Sequence, residues 1–157
     1  MDGETKLLRH TLATLAYRGA KALRGAPAEF ADYRADAGSR TPGQILAHMG
    51  DLLDWALALS DGRHDWHDSP ALPLERGAAR FFKALEALDA RIANGAPLAT
   101  AAERIFQGPI ADALTHVGQL AMLRRMSGAP FQGENYFKAE IVAGRVGAEQ
   151  APPRQEF

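Results

Sequence analysis

The sequence predicts an all-α protein of a single domain, with four amphipathic helices closing on one core as a four-helix bundle. Three observations carry this expectation. Apolar residues recur at helical spacing over four long segments, and no alternating strand pattern of any length occurs. Each segment is bounded by residues that start or stop helices. The 157 residues, 46% hydrophobic and 24% charged, suit one globular core.

The first helix is expected from about Gly3 to Leu23, with Leu8, Leu12, Leu15 and Leu23 on a broad apolar side and a stop at Arg24-Gly25. The second opens at "RTPGQ". Thr41 suits the N-cap, Pro42 the first helical position, and Gln44 the third position of a capping box. It runs to about Ser60, where "SDG" ends it. The third runs from Pro73-Leu74 to Asn94-Gly95, with Leu74, Ala78, Phe81, Leu85, Leu88 and Ile92 as its stripe. The fourth is expected from Gly108-Pro109 to Ser127-Gly128, with Ile110, Ala113, Leu114, Val117, Leu120 and Ala121 inward. Residues 25–40 and 61–73 read as loops, 96–107 as a short strand or extended piece, and 128–157 as a C-terminal loop or short helix whose last ten residues fray.

Composition removes several classes of function. The chain has no cysteine, so it forms no disulfide, zinc-thiolate site or thiol nucleophile of its own. Any metal must be held by His, Asp, Glu or backbone oxygen. The formal net charge is −1, so no nucleic-acid or membrane-surface partner is expected. No apolar run approaches the roughly 18 residues of a membrane span. The opening "MDGETKLLRH" has no long apolar region, so no signal peptide is expected and the protein is read as cytoplasmic. Phosphate-binding glycine loops and the serine-hydrolase elbow are missing.

The chemistry-bearing residues lie on the second and fourth helices. Ile45, His48, Leu52, Trp55 and Leu59 form one stripe, which sets His48 in the middle of an apolar face. A buried imidazole needs hydrogen bonds or a metal to offset its desolvation. On the fourth helix Asp112, His116, Gln119 and Leu123 share a face, and residues four apart can aim at one ion. His48, Asp112 and His116 would give two imidazoles and a carboxylate, a set that leaves coordination positions open. The plainer reading is that Asp112 suits the positive end of its helix, pairs with His116 at i, i+4, and leaves His48 a satisfied core residue.

At these residues the chain resembles the DinB/YfiT-like superfamily. "TPGQILAHMGDLLDWALAL" (41–59) is similar to that family's second helix, and "DALTHVGQLAMLRRMSG" (112–128) to its last, with His116 to Leu120 as the more specific core. The resemblance implies an up-down-down-up four-helix bundle, commonly a homodimer. It also implies one divalent metal, nickel or zinc and in some members others, held by three His. His48 and His116 match two of them. Asp112 stands where the third His is expected, which makes the site harder and admits iron or manganese as well. Relatives include enzymes that use a low-molecular-weight thiol such as mycothiol or bacillithiol. The expected function is therefore a metal-dependent thiol transferase or hydrolase acting on a small molecule. The alternative is a non-catalytic dimeric bundle, structural or ligand-binding, with a degenerate metal site.

Three further stretches carry candidates. "HDWHD" (64–68) offers His64 and His67 as a weak metal pair, although its loop composition favours a solvated turn bordering the site mouth. "FQGENYFKAE" (131–140) is expected to fold over the open side of the metal, with Glu134 and Tyr136 as general acid/base or substrate contacts. A loop anchored by Phe131 and Phe137 is its plainer reading. Gln119 is expected beside a metal ligand or in a packing contact. Arg124 and Arg125 are read as structural, suited to the end of their helix, with contact of one of them to an anionic substrate as the alternative.

Overall fold

The computed structural model describes residues 2–157. It contains α1 (Gly3–Leu23), α2 (Pro42–Ser60), α3 (Leu74–Ala93), a short α4 (Ala102–Ile105) and α5 (Ala111–Met126), with 3₁₀ turns at Ala28–Asp32 and Tyr136–Lys138. The only β pairing among the described residues is an isolated bridge between Glu134 and Glu156. No helix among them is long and apolar enough to cross a membrane.

The helix ends follow from local chemistry. Asp2 caps α1 by accepting the Thr5 N–H at 2.8 Å. At α2 the Thr41 hydroxyl accepts the Gln44 N–H, and the Gln44 side chain accepts the Thr41 N–H at 2.9 Å, a complete capping box with Pro42 just inside. The chain leaves α1 through Gly25 at φ 68° and α5 through Gly128 at φ 81°, left-handed values that a side chain disfavours.

The four long helices form a closed ring, α1 between α3 and α5, and α2 between α3 and α5. α1 and α2 therefore lie across the bundle from each other, which is why a long connection joins them. Phe30 on that connection is 1% exposed and packs beneath α2 and α3. Leu12 and Leu15 of α1, Met49 and Leu53 of α2, Phe81, Leu85 and Leu88 of α3, and Leu120 of α5 are fully buried in one core. Each such side chain contributes about 1.5–3 kcal/mol of transfer free energy. Where α1 crosses α3, Gly19 is in such close contact that a Cβ there would sit 2.8 Å from the Phe81 ring.

Two expectations are corrected here. The helical run that ends in α5 starts with α4 at Ala102, not at Gly108-Pro109, so the second half of 96–107 is helical rather than extended. Ala102–Ile105 are good helix formers, and the run passes through a π-turn, Phe106–Ile110, in which the Ala111 N–H bonds Phe106 O. The wider turn accommodates Pro109, which has no N–H to donate. Asp112 therefore lies inside a continuous helical run and is not at a free, positively polarised N-terminus. The C-terminal end is not frayed. The Phe157 N–H bonds Gly133 O and the Asn135 N–H bonds Gln155 O, tying the last residues to the start of the tail. Arg124, 4% exposed, turns toward the end of α1 and donates to Ala22 O, Arg24 O and Ala129 O.

Candidate metal centre

The α2 capping box fixes the helical register that turns His48 toward α5, and the π-turn sets the rotation of α5 that faces Asp112 and His116 back at it. His48, Asp112 and His116 each bring one ligand atom to a common point, all within 4.8 Å of one another. His48 Nε2 lies 3.5 Å from Asp112 Oδ2, and His116 Nε2 lies 3.4 Å from Asp112 Oδ1. The two imidazoles stand perpendicular, with centroids 4.9 Å apart. His116 is buried at 9% side-chain exposure and His48 nearly so at 18%, whereas Asp112 is half exposed at 47%.

These separations are informative. A charge-assisted imidazole–carboxylate hydrogen bond closes to about 2.7–2.9 Å, and neither pair here does. Neighbouring ligand atoms around a tetrahedral zinc, at about 2.0–2.1 Å from the ion, are about 3.3–3.4 Å apart. The two contacts run to different carboxylate oxygens, so Asp112 faces both rings at once, and the three ligand atoms are close enough together to converge on one ion. The Nδ1–H of His116 donates to Gln119 Oε1 at 2.7 Å, which orients the ring and leaves the Nε2 lone pair for an ion. Burial pushes the His48 pKa down, and the charges of Arg40 and His116 add to this against the opposing pull of Asp112. His48 is consequently neutral at pH 7, the form that binds metal. The residue types and their geometry fit a divalent cation.

Loop 61–73 walls one side of this cluster. Trp66 meets His48 edge-on at 5.7 Å and Trp55 at the same centroid distance. His64 leans on Trp55 at 5.4 Å, while His67 turns to Asp51 and Asp54, so the two loop histidines do not share an ion. A second acidic group, Asp51, Asp54 and His67, is already occupied by Arg80, whose Nη2 donates to Asp51 at 2.7 Å and Asp54 at 2.9 Å. The buried Asp51 also accepts the Ser69 N–H and hydroxyl, which pins the loop carrying Trp66. The sequence reading missed Arg80, Ser69 and Trp66. The available signal was Asp51 itself, an acid three residues after His48 in an apolar stretch.

Glu134 and Tyr136 are not brought to this cluster. Segment 131–140 packs on the other side of α5, over a cleft lined by Arg18, Leu114, Val117, Ala121 and Arg125. Glu134 is buried there, accepting the Tyr17 hydroxyl at 2.6 Å and facing Lys21 Nζ at 2.9 Å. Tyr136 stacks edge-on to Tyr17 and under the Arg18 guanidinium. The expectation that this segment closes over the metal side is corrected. Leu114, Val117 and Ala121 project almost opposite to Asp112 and His116 around the helix, and they form the apolar surface that draws the tail away.

Comparison with known proteins adds no relative, since no family model, curated protein or solved structure matches the chain.

Proposed function

We propose that this chain is a divalent-metal-dependent enzyme acting on a small molecule, by thiol transfer or hydrolysis, in the manner of the DinB/YfiT-like bundles that its α2 and α5 sequences resemble. The single observation that supports the reading is the convergence of two imidazoles and a carboxylate within 4.8 Å of one another, with His116 lining a cleft. The reading carries with it an up-down-down-up helix order, a homodimer, and nickel or zinc as the ion, with iron or manganese admitted by Asp112. Bound by these three residues, a divalent ion supplies Lewis acidity that lowers the pKa of a thiol or water reaching it.

The remaining chemistry belongs to the chain. His48 offers a neutral nitrogen without a proton to lose. Asp112 supplies one negative charge in place of a third imidazole, which favours binding of the cation. Gln119 holds the His116 ring in its ligating tautomer. Trp66 closes the His48 side of the cluster. The test is metal analysis of protein loaded with nickel or zinc, beside Asp112→Ala, followed by assays with low-molecular-weight thiols and simple hydrolase substrates. About one ion per chain and turnover, both lost in the variant, are expected. Failure to take up any ion would overturn the proposal.

A further inference from the structure

A cleft of about 490 Å³ opens against His116 and Gln119, between α5 and the connection that enters α2. Its chemistry is uneven. Arg40, exposed at its rim, makes no hydrogen bond or ion pair among the described residues and shares the cleft with His116. Asp36 is the only acid in the lining, and it is spent on its own turn, accepting from the Gly38 N–H, the Ser39 N–H and the Ser39 hydroxyl. Gln119 commits its Oε1 to His116 and retains its amide donors. Met122 and Met126, on the same face of α5 as Gln119, are 58% and 53% exposed. Two adjacent exposed thioethers make a soft apolar surface that adapts to a ligand.

We propose that this cleft is the substrate site of the metal centre and that it takes a small organic anion. The carboxylate pairs with Arg40, the apolar part lies on Met122 and Met126, and the reacting end reaches the cluster at His116, the member that lines the cleft. The unpartnered guanidinium is the recognition element, because its planar fork matches a carboxylate and no protein group competes for it. This rests on the metal reading above and names the substrate class for it.

The test is a binding measurement on cobalt-loaded protein, freed of excess metal, read from the cobalt absorption spectrum. Mercaptopropionate is titrated beside mercaptopropanol, its neutral counterpart of nearly equal size. The wild type should bind the acid about tenfold more tightly than the alcohol, the order expected for one charge-assisted pair. Arg40→Gln should abolish that preference while leaving the cobalt spectrum unchanged, and Arg40→Lys should keep part of it. Arg40 holds no other residue, so its variants are expected to fold, and the intact spectrum verifies this. Equal binding of acid and alcohol, or a preference that survives in Arg40→Gln, overturns the anion site alone. A protein that gives no bound-cobalt spectrum overturns the metal reading, and the anion site falls with it.

Discussion

Gly50 lies in the middle of α2, where Gly→Ala ordinarily stabilises a helix by about 1 kcal/mol. Here the sign should reverse. A Cβ on Gly50 would sit 2.7 Å from the Arg80 Cζ, in the notch through which that side chain crosses α2. Arg80 uses this path to donate to Ala47 O at 2.8 Å, Asp51 at 2.7 Å and Asp54 at 2.9 Å. Asp51 is 2% exposed and retains the two Ser69 donors when Arg80 is pushed aside, and Arg80 itself regains water. The loss is therefore about one hydrogen bond to a buried charge, about 1.5–3 kcal/mol. Set against the gain in propensity, Gly50→Ala is expected to destabilise by about 0.5–2 kcal/mol. Gly118→Ala, where a Cβ meets nothing within 4 Å, should stabilise by about 1 kcal/mol. Urea unfolding of both variants measures the contrast. The deciding comparison is Gly50→Ala in an Arg80→Ala background, where the notch is empty and the change should turn stabilising. If Gly50→Ala matches Gly118→Ala in the wild-type background, Arg80 does not hold α2, α3 and loop 61–73 together as described.

Three other outcomes follow from the same structure. Burial alone would raise the Asp51 carboxyl, but the hydrogen bonds from Ser69 and Arg80 outweigh it and hold its pKa below the ordinary value. A carboxyl depressed on folding stabilises fully above its unfolded pKa of about 3.9 and loses that contribution as pH falls through the folded value. Asp51→Asn should thus flatten the acid limb of a stability–pH profile below pH 4. Gln119→Ala should weaken zinc binding about 10–100-fold without abolishing it, measured by competition with a chelator, because it frees the His116 ring without removing a ligand. Glu134→Gln should destabilise the fold, at the low end of the roughly 3–5 kcal/mol for breaking a buried pair since Glu156 stays 3.5 Å from Lys21. It should leave metal content unchanged, and a loss of metal would contradict the placement of the tail away from the cluster.

The parts of the fold that local chemistry dictates could be read from the chain alone. Thr41, Pro42 and Gln44 announce α2 because each acts on its own backbone, and the stripe through His48 and Trp55 follows from helical spacing. The convergence of His48, Asp112 and His116 was legible for the same reason, as two short face patterns on helices that a bundle must pack. The start of the last helix was not. Pro109 suits a first helical turn, but a π-turn tolerates it equally, and only packing against α2 decides between them. The side of α5 that the tail covers was illegible too. Glu134 finds Tyr17 and Lys21 more than a hundred residues away in sequence, and nothing near Glu134 encodes them. Arg80 in the Gly50 notch is a tertiary fit of the same kind. Arg40 was hidden inside a connection whose composition gives no pattern.

The most direct measurement of the metal centre is X-ray absorption on protein loaded with one equivalent of zinc. The account predicts a first shell of nitrogen and oxygen at about 2.0–2.1 Å with the outer-shell signature of two imidazoles. That signature should fall to one imidazole in His48→Ala and remain at two in His67→Ala. A zinc spectrum unchanged by His48→Ala, or zinc that washes out of the wild-type protein, would show that these three side chains do not form a metal site.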